Sequence, residues 1–216
     1  MNAADYGVPQ KRRRVIVVGL LGGPEFEFPE PTHGEGLWLQ PYVTVKDALD
    51  DLPMPSLGAN DIIEYDREAK TSYQKMMREE SEFISEHFVP QMSELDKYIV
   101  SHVKPGGNYM DIPKEVNSKR IRRLQEHGGH TTCYGRMSPD KPSYTINTYF
   151  NRPNVGCNIH YSQERLITVR EALRLQSFPD RYEIVSSSKQ GRNMIVGNAV
   201  PPLLAQVIAH KLKKYI

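Results

Sequence analysis

One short run constrains this chain more than any other. Val15-Ile16-Val17-Val18-Gly19 is apolar and β-branched up to its closing glycine, and the basic quartet Lys11 to Arg14 precedes it. An apolar run without polar alternation reads as a strand buried on both faces of a sheet. Such a strand needs neighbours, yet no second run of this kind and no alternating strand-helix pattern follows. The expectation is a buried strand belonging to an α/β sheet whose other strands come from elsewhere.

The remaining chain reads as α+β. Residues 22 to 41 are rich in Pro and Gly and form a surface loop. Thr44-Val45-Lys46-Asp47 has the form of a capping box, predicting a short helix through Leu52 that Pro53 and Pro55 end. Tyr73, Met76, Met77, Phe83, Ile84 and Phe88 fit helical spacing between Arg67 and Phe88, with the methionines as core fillers. Further helices are expected from Ser93 to about Val103 and from about Lys114 to Glu126, the second closed by Gly128 and Gly129. Between His130 and His160, tyrosines and threonines alternate with turn residues, predicting a small β-rich module. A second capping box, Thr168 to Glu171, opens a helix that Pro179 terminates, and a last helix begins near Pro201.

Composition excludes little. At 38% hydrophobic and 25% charged, 216 residues can bury a sizeable core. No apolar run approaches the roughly 20 residues that span a bilayer, and no signal peptide is evident, so the expectation is a cytoplasmic protein, near the nucleoid, with no membrane partner. Cys133 and Cys157 form no CxxC pair, which makes a disulfide framework or a metal site unexpected. Net charge is only +2, but cations gather at Lys11 to Arg14, Lys119 to Arg123 and Lys211 to Lys214. Taken singly such clusters are ordinary solvated faces; a local patch can also hold a polyanion.

Three segments in fixed order carry something more specific: Gly7-Val8-Pro9-Gln10-Lys11-Arg12-Arg13-Arg14, then Arg165 to Asp180 (RLITVREALRLQSFPD), then Gly197-Asn198-Ala199-Val200-Pro201-Pro202. Alone, each has a plain structural reading as a basic rim, an amphipathic helix and a helix entry. Together they resemble the eighth, ninth and tenth motifs of the DNA (cytosine-5) methyltransferases. That resemblance implies a target-recognition domain joined to pieces of an incomplete Rossmann-like α/β domain. The expected division is residues 1–22 as the catalytic-domain strand, 23–185 as the recognition domain, and 186–216 as a helix packing on the catalytic domain.

In a strand, Gln10, Arg12 and Arg14 share one face while Lys11 and Arg13 take the other. Members of the family flip the target cytosine out of double-stranded DNA, add a cysteine thiolate to C6, and methylate C5 from S-adenosylmethionine. By resemblance, Arg14 is the O2 contact, with Arg12 and Gln10 supporting it as catalytic residues. Asn198, Ala199 and Val200 are the cofactor candidates, at a helix N-terminus suited to a carboxylate; Asn198 also fits a helix cap. Lys11, Arg136, Thr145, Asn147, Thr148 and Arg152 are the DNA-binding candidates, with Asn151 in the same loops. Arg170, Glu171, Arg174 and Gln176 are expected to organise structure.

The family's Pro-Cys nucleophile, its Glu-Asn-Val and its Gly-rich cofactor loop do not occur in these residues, since Cys133 follows Thr132 and Cys157 follows Gly156. The expectation is a chain inactive alone, requiring an N-terminal methyltransferase half or subunit that carries the catalytic cysteine, with self-association possible for exposed strand surfaces. A non-catalytic DNA-binding module, or a basic protein unrelated to methylation, are the rival readings.

Overall fold

A computed structural model describes residues 1–58, 61–186 and 188–215. In chain order its helices are α1 (Val45–Leu49), α2 (Ser72–Arg78), α3 (Glu94–His102), α4 (Lys119–His127), α5 (Val169–Leu175), α6 (Lys189–Asn198) and α7 (Pro202–Leu212). A single antiparallel pair, β1 (Ile63–Glu64) with β2 (Phe83–Ile84), is the only sheet among the described residues.

Local chemistry sets where the helices begin. Thr44, Thr71, Ser93 and Thr168 each accept a hydrogen bond from the backbone three residues on, and the side chain there reaches back to complete a capping box. Each box satisfies two helix-end donors that would otherwise lack a partner. Gly128 stops α4 at φ +78°, a conformation costly for any other residue.

Apolar side chains assemble in three groups. The main core joins α1, α2, α5 and α6 through Val45, Leu49, Met77, Leu173, Leu175 and Val196, and takes Ile146 and Phe150 from the chain between helices. A second core gathers α3 and α4 around Ile99, Val100 and Ile121. The third packs the N-terminal residues Ala3, Tyr6, Val8 and Ile16 against Leu204 and Val207 of α7. Val196 thus belongs to the main core, so the expected boundary at 185/186 runs through packed structure.

Several sequence expectations are corrected. Val15 and Val17 are 92% and 88% exposed, and none of residues 15 to 19 makes a backbone hydrogen bond to another described residue. Only Ile16 packs, against the N-terminal group, so the expectation of a strand buried on both faces is corrected for the described residues. The helix expected from Arg67 to Phe88 is only α2: Glu80 takes φ +57°, and the chain returns as β2. The β-rich module of 130 to 160 holds only isolated bridges: Arg136 pairs with Ile159 inside it, while Ser143 pairs with Gln10 and Ile159 with Leu166 outside it, so no ladder extends. Helix α6 was not expected. Among the described residues no helix is long and apolar enough to cross a membrane.

Candidate functional site

The basic quartet is fixed by its neighbours on both sides. The Ala3 and Lys11 amides donate to Arg12 O and Ser143 O at 3.0 and 2.8 Å, and Ser143 N donates back to Pro9 O at 2.9 Å. Gly7, at φ +83°, turns the chain into this segment against the His33 ring. Held in this way, Gln10 and Arg12 point inward, while Lys11, Arg13 and Arg14 face outward.

Arg12 is 1% exposed and spends its guanidinium on the chain itself. Its Nη1 donates to Ile146 O at 2.9 Å and to Gln10 Oε1 at 3.4 Å; its Nη2 donates to Gly197 O at 2.8 Å and to Ala199 O at 3.0 Å. Burial, with the Arg14 charge second, pushes Arg12 down to about 10, so it stays charged at neutral pH. Gln10 completes the clamp: its Nε2 donates to Leu175 O at 3.1 Å and its Oε1 accepts from Ile146 N at 3.0 Å. The single face expected for Gln10, Arg12 and Arg14 is therefore corrected. Arg12 and Gln10 are positioning groups here, and Arg14 alone remains free to meet a ligand. Among the described residues the Arg14 guanidinium donates only to Arg13 O, at 2.8 Å, and it borders an open cleft of about 600 Å³ with Asp5, Arg13, Val15 and Tyr42.

The same clamp reaches the final motif. Asn198 is the last residue of α6 and is exposed, Ala199 follows as its C-cap, and Val200 is exposed. A side chain at Gly197 would run into the Thr148 backbone nitrogen, so glycine lets α6 lie against the 147–148 chain. Helix α7 is preceded by Pro201 as N-cap and begins with Pro202, neither of which has an N–H, and Leu203 N is taken by Ser177 Oγ at 3.1 Å. The expected carboxylate cradle at the start of this helix is thus corrected, as is a capping role for Asn198. What the junction presents outward is the Asn198 amide and the Val200 side chain.

The DNA-binding candidates separate. Arg136 is buried, donating to Val100 O, Val103 O, His160 O and Gln163 O at 2.6–2.8 Å. It anchors the loop to α3, which corrects its expected role in DNA contact. Thr145 Oγ1 donates to Lys11 O at 2.8 Å, and Asn147 Oδ1 accepts from Tyr149 N at 2.7 Å. Lys11 and Arg152 keep their charged groups outside, and Thr148 borders a cleft facing α6.

The ninth motif forms a buried ion network. Arg174 donates bidentately to Asp180 at 2.7 and 2.5 Å and to Asp51 at 2.8 and 3.3 Å, and also to Ala48 O. Arg165 pairs with Glu171 at 2.8 and 2.6 Å. Burial pushes the Glu171 carboxyl up, but Arg165 and His160 pull it well below the usual carboxylate range. Arg170 holds Ser85 O and Tyr182 O at 2.9 Å, and Gln176 donates to Val196 O at 2.5 Å, tying α5 to α6. Asp51, Ser85 and His160 were missed in the sequence, because no local pattern couples position 51 with 174.

Against known proteins, residues 1–214 match the family model for C-5 cytosine-specific DNA methylase. The chain belongs to that family. Among this methylase chain's relatives, the type II methyltransferase M1.HphI of Haemophilus parahaemolyticus is 36% identical, covering 99% of this chain and 46% of the relative. M.AgeI of Thalassovita gelatinovora is 30% identical, covering 99% of this chain and 64% of the relative. A crystal structure of a DNA modification methyltransferase encoded within an E. coli prophage superimposes with a TM-score of 0.68 at 22% identity, covering 100% of this chain and 58% of that one, which shows the fold. The methylase chain spans about half the length of curated relatives such as M1.HphI and M.BbvI, at 46% of each.

C-5 DNA methylases use S-adenosylmethionine as methyl donor. At the α6–α7 junction Asn198 has an amide not engaged by any described residue, and Val200 presents an exposed apolar side chain. No glycine-rich phosphate-type cradle occurs in these residues.

Proposed function

We propose that this chain is the recognition and cofactor-closing part of a DNA cytosine-5 methyltransferase, acting on double-stranded DNA together with a protein segment that carries the Pro-Cys nucleophile and the Gly-rich cofactor loop. The observation that carries this is the Arg12 clamp. One buried guanidinium joins the quartet, the 145–148 loop and the Gly197–Ala199 junction, and leaves Arg14 outward in an open cleft.

Each part then has a role. Arg14 meets O2 of the flipped cytosine and stabilises charge that builds there as the thiolate adds. Lys11, Thr145, Asn147, Thr148 and Arg152 lie toward the duplex, with the cations on phosphate and the polar groups on base edges. Asn198 and Val200 line the methionine end of S-adenosylmethionine, which supplies the electrophilic methyl when bound. The bare Val15–Val18 segment gains a sheet neighbour from the complementing segment. Exposed β-branched side chains and unpaired backbone support this.

The test is complementation. The chain is mixed with a segment from a related methylase that contains Pro-Cys, and methyl transfer from S-adenosylmethionine to DNA is followed. Neither part alone should transfer methyl groups, and the mixture should. Arg14→Ala in the mixture should lower kcat about 100-fold while DNA affinity stays within about threefold. An assembled, DNA-bound mixture that methylates no sequence would sink this reading in favour of a non-catalytic DNA-binding module.

A further inference from the structure

A second cleft, of about 520 Å³, lies between the 148–152 loop and the first turns of α6. Thr148, Tyr149 and Arg152 form one wall, and Lys189, Gln190 and Asn193 the other. Asn193 is the informative residue. It is 3% exposed, yet its side-chain amide makes no hydrogen bond with any described residue, and its polar atoms are not among those sealed from the surface. Buried amides almost always find partners, because leaving one without costs about 1–3 kcal/mol. Here the side chain lines the cleft with no partner among the described residues.

The chemistry of the walls narrows the ligand. An asparagine amide presents a donor and an acceptor side by side, and a phosphate or carboxylate can use only the donor. Charge adds the second requirement: Lys189 and Arg152 border the cleft with no carboxylate, and Arg192 on the next turn is occupied by Glu86 at 3.4 Å. The dipole at the start of α6 adds to the positive potential. The Arg152 guanidinium lies 5.1 Å from the Tyr149 ring centroid, giving a flat surface against which a planar ring can stack. The space exceeds a single ion and falls within the range of about 300–1,000 Å³ for small organic ligands. A ligand that is anionic, planar, and edged with both donors and acceptors is a nucleotide.

Resting on the function proposed above, we infer that this cleft receives one nucleotide of the bound DNA other than the target cytosine. Asn193 pairs with its base edge, and Lys189 and Arg152 hold its phosphate. That makes Asn193 a specificity-determining residue contributed by α6, outside the loops that carry the other DNA contacts.

The test scans abasic nucleotides through a duplex bound by the assembled mixture. With the natural chain, an abasic nucleotide at one position away from the target should cost about tenfold in affinity. Asn193→Asp should erase that penalty and leave those at other positions unchanged. Lys189→Gln, on an exposed side chain, should lower affinity for every duplex and reduce the salt slope by about 1. Should Asn193→Asp fail to fold, the salt slope of Lys189→Gln decides. An unchanged positional profile in Asn193→Asp, or an unchanged slope in Lys189→Gln, overturns the cleft assignment alone. Absence of DNA binding by the natural assembly overturns this assignment and the proposed function together.

Discussion

Two arginine-rich regions lie close together in this molecule and use their charge in opposite ways. Around α5, Arg165 and Arg174 are buried, and carboxylates and carbonyls answer their guanidinium groups. In the N-terminal quartet, Arg13 and Arg14 face solvent with no carboxylate partner among the described residues, and only Arg12 is turned inward. Residue type is the same in both regions. What differs is whether the chain has satisfied the charge, and an unanswered charge on a rigid support marks where a ligand can be met.

Removing a member of the closed network should do the most damage. Arg174→Ala leaves Asp51 and Asp180 buried without their shared cation, and the urea midpoint should report a loss of about 3–5 kcal/mol. A variant of natural stability would mean that the network is open to water and the contrast false. Acid should act on the same region. Burial pushes His160 down to about 4, so between pH 6.5 and pH 4 the unfolded chain binds a proton that the folded chain refuses. Stability is therefore full above pH 6.5 and falls by on the order of 3 kcal/mol by about pH 4. Glu171, held below the usual carboxylate range, adds to the loss below about pH 4.5, where the unfolded carboxyl takes up a proton first. A flat urea midpoint between pH 7 and pH 4 would remove His160 from the network.

Arg12 stands between the two regimes. Arg12→Lys keeps the charge but loses the fork that reaches Ile146, Gly197 and Ala199, and should cost about 2 kcal/mol. Amide hydrogen exchange should accelerate together at 146–148 and 197–199, and acceleration at only one would show that the clamp does not couple them. Arg14→Ala should be the smallest change, within about 0.5 kcal/mol by the same urea titration, whatever it does to turnover. A larger loss would place Arg14 with the structural arginines.

What could be read in advance was the local chemistry. The capping boxes at Thr44 and Thr168 and the start at Ser93 follow from side chains that bond to their own backbone within three residues. Long-range decisions were not legible. The exposure of Val15 and Val17 could not be read from their apolar run, because pattern does not say what packs on a segment, and burial of Arg136 depends on carbonyls of α3 more than thirty residues earlier. Helix α6 was not separated from the last helix because Gly191 interrupts any apolar periodicity at its start, although Ser188 accepts from Gly191 N as an N-cap should. At the quartet, the alternation correctly placed Gln10 and Arg12 together. It failed at Arg14, where the segment leaves the packed body and alternation no longer decides which side is inside.

The position of Arg12 has a thermodynamic corollary. Because one guanidinium grips carbonyls of both the 146 loop and the 197–199 junction, a molecule that displaces either segment must work against the other. Reciprocity then requires that whatever occupies one flank alter the affinity of the opposite flank by the same factor in both directions. The two binding events would share an energetic hinge only one side chain wide.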